Sequence, residues 1–453
     1  MKISLILPTY GQSFPQAAFY LTANLEKHNH SADVVFIDID DIKKEQTSEP
    51  SNFDMIEKAL NSSHKVIAIG CMTDLLPHFL YSVINFKKKY PGKIIILGGP
   101  GPSEFAESLI ANFKEIDFIV KDRNPIVFAE LITAFETKDD TSEIKGVVSR
   151  RNNKVQYISS GGDYFENFIL PTRHSFVLKN FNHIRLVSVE GCPYQCTFCS
   201  SKPLIDAKLK YRALSDVLEE IKTLKSLSPN KMLYHFVDEA FVVNHRRVLD
   251  FCAALKKNAL AINWSCFGRV NCMSTDLMST MREAGCSGIF FGIESGSNSV
   301  LDKIKKGFTI EQAVRVLLEA KKYFKKITAS FIWGFPFETF DEFVQTLLVI
   351  KFLKKEGIKT NFKLLYPVVN SEIYENYKTT LIFSELGRAN RRMKIAYEQE
   401  DFIEFVKSNE YLFPRYSMFA HSEFEKKLRY IHDNRINLKV STGIRNYQSG
   451  IYV

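Results

Sequence analysis

No stretch of this 453-residue sequence approaches the ~20 uninterrupted apolar residues of a membrane helix, which argues against a helical membrane span. A charged leader with a small-residue cleavage site is also missing. The opening run Met-Lys-Ile-Ser-Leu-Ile-Leu-Pro-Thr-Tyr carries one lysine and is stopped by a proline, so it reads as a first strand, and a cytoplasmic location is expected. No long basic tail accompanies the formal charge of +9, because lysines such as Lys321, Lys322, Lys325 and Lys326 are sprinkled along expected helix faces. That balance permits an acidic substrate and gives no evidence for nucleic acid. Cysteine is scarce and mostly unpatterned. Cys71, Cys252, Cys266, Cys272 and Cys286 lie scattered in apolar surroundings, so reduced core thiols are expected, with Cys266 and Cys272 the pair that could approach one another or a second metal.

What is present is a run of three cysteines, Val189-Glu-Gly-Cys-Pro-Tyr-Gln-Cys-Thr-Phe-Cys-Ser200, with Cys192, Cys196 and Cys199 spaced three then two. Zinc usually takes four closed ligands, and neither a second Cys-x-x-Cys nor a histidine at a recognised spacing completes such a set; His183 lies upstream at none. Three thiolates hold three irons of a cubic 4Fe-4S cluster and leave the fourth open. An open iron can chelate the amino and carboxylate groups of S-adenosylmethionine, and an electron can then cleave its carbon-sulfur bond to give a 5'-deoxyadenosyl radical. Structural zinc or inert core cysteines are the alternative.

The length exceeds a usual single core and predicts two or three domains. Over residues 1–140, strands at 3–7, 34–39, 65–69, 93–97 and 117–120 alternate with helices near 15–27, 74–90, 103–113 and 125–136. This rhythm predicts a doubly wound, Rossmann-like parallel sheet, whose ligands lie at the carboxyl ends of the strands. Three of those ends are small-residue loops: Pro8-Thr9-Tyr10-Gly11, Gly70-Cys71-Met72-Thr73 and Gly98-Gly99-Pro100-Gly101-Pro102-Ser103. The glycines of the last would let the backbone come close to a ligand, and plain turn chemistry is the alternative. Residues 145–159 read as a hairpin around Asn152-Asn153, and 141–179 as hairpin and linker.

From 180 to 367 the pattern is that of a partial (β/α)6 TIM-like barrel, with strands at 185–190, 232–237, 263–268, 287–292, 327–333 and 361–366. Helices are expected around 214–226, 244–258, 274–284, 310–323 and 339–356. Barrel function gathers at the carboxyl ends of strands. There the chain places Asp238-Glu239, Gly268-Arg269, Gly292-Ile-Glu294 and Gly334-Phe-Pro336. Glu338-Thr339 and Asp341-Glu342 read as an ordinary helix start. Residues 368–453 read as a mainly helical tail, a candidate lid and substrate region, although Tyr411, Phe413, Tyr416 and Phe419 fit plain packing better.

Residues 180–367 with their cysteine motif and aromatic Phe198 resemble the radical S-adenosylmethionine superfamily. By that resemblance Cys192, Cys196 and Cys199 bind the 4Fe-4S cluster. Glu294 matches the carboxylate that holds the ribose, and Asp238 and Glu239 stand where the methionine amino group is received. Gly334 and Pro336 back the adenine, and Arg269 lies near the methionine carboxylate. Residues 1–140 resemble the cobalamin-binding domain that precedes many such enzymes, through Lys93-Ile-Ile-Ile-Leu-Gly-Gly-Pro-Gly-Pro-Ser103 and Ile67-Ala-Ile-Gly-Cys-Met-Thr73. Thr73, Gly98, Gly99 and Pro100 would then face cobalamin. Two departures stand out: an Asp-x-His-x-x-Gly motif is absent, and Lys121-Asp-Arg-Asn-Pro125 replaces a glycine- and glutamate-rich turn.

The resemblance implies an enzyme that transfers a methyl group to an unactivated carbon of a small molecule or peptide, with an electron donor such as flavodoxin or ferredoxin. A radical dehydratase, epimerase or ring-rearranging enzyme with a vestigial first domain is the second expectation. An iron-sulfur sensor or electron-transfer protein is the third.

Overall fold

The computed structural model describes residues 1–9, 13–38, 52–122, 124–161, 181–199, 208–227, 232–383 and 400–434. Residues 162–179 of the expected 141–179 hairpin and linker lie outside them, as do residues 10–12 and Arg123. The chain divides into two compact units, one of 1–177 with 391–416 and the other of 178–390 with 417–453.

In the first unit, β1 (Lys2–Thr9), β2 (Ser31–Asp38), β3 (Val66–Gly70), β4 (Ile94–Gly98) and β5 (Phe118–Val120) pair in parallel in the order 2-1-3-4-5. β1 is buried at every position after Lys2, as a strand covered on both faces must be. Among the intervening helices are α1 (Gln16–Lys27), α2 (Asn52–Leu60) and α3 (Leu76–Lys89). The alternation of residue types did not suggest α2. The single helix expected at 103–113 is two, α4 (Pro100–Glu104) and α5 (Ala106–Asn112), broken at Phe105, whose φ of −126° is not helical. α6 (Pro125–Thr137) opens on a proline behind an Asn124 cap, a sequence-legible start.

The hairpin forms as β6 (Val147–Arg151) and β7 (Lys154–Tyr157), with Asn152 and Asn153 at φ of 49° and 59°. It does not stand with a linker. Phe118 pairs with Ser149, so the hairpin adds two antiparallel strands to the sheet's edge.

In the second unit six strands pair in parallel in sequence order: β8 (His183–Leu186), β9 (Leu233–Phe236), β10 (Asn263–Gly268), β11 (Cys286–Glu294), β12 (Lys326–Trp333) and β13 (Lys359–Leu364). Helices α7 (Leu214–Leu227), α8 (His245–Lys257), α9 (Thr275–Glu283), α10 (Asn298–Lys303), α11 (Ile310–Tyr323) and α12 (Phe340–Lys355) join them. One strand face packs on the helices: Trp264 is enclosed by Phe236, Phe241 and Phe251 at centroid distances of 5.5–5.8 Å. The other face carries His235, Phe267 and Phe290 in edge-to-face contact.

The tail is not one lid. α13 (Glu372–Tyr377) and α15 (Phe424–Asp433) belong to the second unit, whereas α14 (Glu400–Ser408) belongs to the first, where Phe402 packs on His78 and Tyr81. Phe413, Tyr416 and Phe419 are buried packing residues, while Tyr411 is half exposed.

Candidate functional site

The cysteine loop leaves the short strand Val189–Glu190 through Gly191, whose φ of +98° suits glycine. None of the three is in a disulfide, and Cys196 is buried while the others are half-buried. Burial pushes the Cys192 thiol up, its neighbours Cys199 and Cys196 add to the rise, and Arg269 opposes it. The guanidinium of Arg269 reaches further into the loop. Its Nη1 lies 3.8 Å from the sulfur of Cys196, its plane covers the Tyr194 ring at 3.4 Å, and it donates to Asn271 and the Lys306 carbonyl. Among the described residues no three His, Cys, Asp or Glu side chains close on one point, as a single-ion site would require. Three thiols on one loop beside an arginine are a donor set that suits an iron-sulfur cluster.

Asp238 lies just beyond the end of β9. It has no exposed surface, and its carboxylate accepts the N–H and the hydroxyl of Ser188, each at 2.6 Å. It so fixes the segment leading to the cysteines, and Arg247 reinforces that segment by donating to the carbonyls of Ser188 and Arg212. Burial raises the Asp238 pKa to about 7 against the pull of those hydrogen bonds. Glu239, half-buried, is the neighbour left at the site face.

Glu294 ends β11 at a φ of +75°, uncommon outside glycine, and its Oε1 lies 3.2 Å from the Lys306 ammonium. Both are largely buried. Lys306 also lies over the rings of Phe198 and Phe308, at 5.8 and 5.6 Å. Sequence reasoning missed Lys306. A lysine before Gly307, twelve positions after the acid, was the available signal.

Gly334, at φ +86°, has no room for a side chain, since a Cβ would sit 2.6 Å from Leu364 Cδ1. Its N–H donates to Glu338, which is wholly buried with Lys427. Glu338 is therefore more than a helix-start residue, although Thr339 and Glu342 do form the capping box expected of that start. Phe335 packs edge-on to Phe198 at 6.1 Å, and the Ile373 N–H donates to the Thr197 carbonyl. Of Cys266 and Cys272, the second lies 3.1 Å from the Tyr194 hydroxyl, whereas the first neighbours Cys286, and burial followed by that neighbour pushes the Cys266 thiol up.

In the first unit the strand order reverses between β1 and β3, where doubly wound sheets open a crevice. Thr73 is buried and donates weakly to Glu104 at 3.4 Å; Gly98 and Pro100 are half-buried and Gly99 is exposed. The glycines also serve the neighbouring loop. A Cβ on Gly99 would lie 2.7 Å from the Cys71 carbonyl, and one on Gly101 2.8 Å from Met72, so these glycines seat one loop on the other. Backbone bonds Cys71 N–H to Gly98 O and Gly101 N–H to Cys71 O join the two. In the altered turn, Asp122 accepts the Tyr157 hydroxyl and the Ser160 N–H, which ties it to the hairpin.

The Radical SAM superfamily model matches residues 186–350. An uncharacterised methyltransferase of Pyrococcus horikoshii is 27% identical over 393 residues, covering 83% of each chain. The bacteriochlorophyllide d C-12(1)-methyltransferase of Chlorobaculum tepidum is 23% identical over 301 residues, covering 65% of this chain and 62% of its own. Among solved structures, the radical S-adenosylmethionine methyltransferase TsrM of Kitasatospora setae, with cobalamin and a 4Fe-4S cluster bound, superposes with a TM-score of 0.64 at 16% identity. That match covers 84% of this chain and 76% of TsrM. A second structure of TsrM holds tryptophan and a S-adenosylmethionine analogue. At such identity the likeness establishes the fold. The cysteine loop thus lies inside a span, 186–350, that matches the Radical SAM superfamily, and a doubly wound, Rossmann-like sheet precedes it in the chain.

Proposed function

We propose that this chain is a cobalamin-dependent radical S-adenosylmethionine methyltransferase acting on a carbon of a small molecule. The observation that carries the reading is the position of Arg269, which touches Cys196 of the three-cysteine loop and donates to the carbonyl of Lys306, the partner of Glu294. When bound, the cluster and S-adenosylmethionine supply a hydrogen-abstracting 5'-deoxyadenosyl radical, and cobalamin supplies a methyl carrier.

The three cysteines would hold the cluster, with the Arg269 guanidinium placed beside Cys196 as a counter-charge. Glu294 would accept the ribose hydroxyls, with Lys306 holding its side chain in place. Glu239 would receive the methionine amino group, Arg269 would face the methionine carboxylate, and Gly334 with Pro336 would back the adenine. Thr73 and residues 98–100 would face cobalamin. The packing of Phe198 on Phe335 shields this face from water, which a radical requires. Flavodoxin or ferredoxin would serve as electron donor. The methyltransferase names of the relatives and the fold of the first unit support methyl transfer over other radical outcomes.

One observation favours the second reading, a radical dehydratase, epimerase or ring-rearranging enzyme with a vestigial first domain: Gly99 and Gly101 serve the neighbouring loop, so their presence needs no ligand. Anaerobic reconstitution with iron, sulfide and hydroxocobalamin separates the two. Methyl transfer predicts stoichiometric cobalamin in the visible spectrum, and both deoxyadenosine and S-adenosylhomocysteine from methyl-labelled S-adenosylmethionine. Deoxyadenosine with no retained cobalamin and no homocysteine product would defeat it.

A further inference from the structure

Glu338 and Lys427 are both wholly buried, 89 positions apart in sequence. The Lys427 ammonium donates to Glu338 Oε2 at 2.9 Å and to the Glu338 carbonyl at 2.5 Å, so it grips the residue twice. The same Oε2 accepts the Gly334 N–H at 3.0 Å, and the Glu338 N–H closes on the Phe335 carbonyl at 3.0 Å. The turn from Gly334 to Glu338 is thus tied shut by a carboxylate that itself depends on a lysine from the last helix.

Burial pushes the Glu338 carboxyl up and the Lys427 amine down, while each partner's charge opposes the other's shift. Neither charge is sustainable alone in that setting. α15 is also fixed at this spot by packing. Phe424 stacks on Trp333 at 5.4 Å, within a cluster of Trp333, Phe343, Leu364, Met418, Phe424 and Ile431.

We infer that Lys427 is a positioning residue for S-adenosylmethionine, setting through Glu338 the shape of the Gly334–Pro336 turn. The last helix, which lies beyond the span matched by the family, completes the nucleoside site of this chain. The inference rests on the assignment of that turn to the adenine.

The test uses the full chain, reconstituted anaerobically, with equilibrium binding of labelled S-adenosylmethionine alongside iron content and melting midpoint. Lys427→Met should weaken binding by about tenfold while the iron content is retained, because a displaced turn costs orientation more than fold. Deoxyadenosine formation at saturating S-adenosylmethionine should persist, a rise in KM over a fall in kcat. Adding Glu338→Gln should restore affinity, since the amide oxygen still accepts the Gly334 N–H and no buried charge is left alone. If Lys427→Met does not fold, Lys427→Arg replaces it: the longer, forked cation should draw Glu338 away from Gly334 and weaken binding severalfold. Unchanged affinity in the folded single variant, or binding lost strictly in parallel with iron and melting midpoint without rescue, would overturn the inference alone. A wild-type chain that takes up no cluster and binds no S-adenosylmethionine would overturn the functional reading as well.

Discussion

Asp238 accepts two hydrogen bonds from Ser188, each at 2.6 Å, and so ties the end of β9 to the segment that enters the cysteine loop. Its folded pKa of about 7 lies above the 3.8 of a free aspartate, with burial the leading cause. The fold therefore holds this proton more tightly than the unfolded chain does, and stability from this group is full below pH 3.8 and lost as the pH rises towards 7. The slope in that window approaches about 1.4 kcal/mol per pH unit for one proton. Asp238→Asn should remove this component, which denaturant unfolding of both proteins from pH 4 to 8 would show.

Replacing Cys196 by alanine should abolish cluster incorporation and deoxyadenosine formation together. Cys266→Ala, a buried thiol beside Cys286, should leave both intact and cost stability alone. Iron analysis and product chromatography of the two variants decide the matter, and retention of a full cluster in Cys196→Ala would remove the site assignment.

Glu294 and Lys306 should show strong coupling. Either Glu294→Gln or Lys306→Met strands a largely buried charge and should cost about 3–5 kcal/mol, whereas the double variant should cost much less. A double-mutant cycle by urea unfolding measures the difference. Additive effects would mean that the pair is not held as described.

Gly99→Ala should destabilise the first unit by about 1–2 kcal/mol from its left-handed φ alone, with more from the clash against Cys71. Cluster content should be unaffected. A variant of wild-type stability that merely fails to retain cobalamin would show that Gly99 serves the ligand and not the loop.

Periodicity made the strands of both units legible, because each is an apolar run bounded by turn residues, and β10 and α11 fall where 263–268 and 310–323 were expected. The cysteines were legible because their chemistry is local. The partners were not. Lys306 and Lys427 act on acids 12 and 89 positions away, and nothing in a lysine's neighbours announces a buried ion pair. The burial of Asp238 and its hold on Ser188 were illegible for a related reason, since the partner lies 50 positions away. Gly99 and Gly101 were rightly marked as sites of close approach, but what approaches is the backbone of residues 71–73.

The grip of Lys427 on Glu338 also has a timetable. During translation at ~5–20 residues per second, the lysine follows its acid by roughly 4–18 s. A nascent chain paused between the two has its cysteines already made, yet its turn at Gly334 is still unlatched. A message truncated before codon 427 would encode the cysteine loop and the Gly334 turn without the lysine that latches that turn.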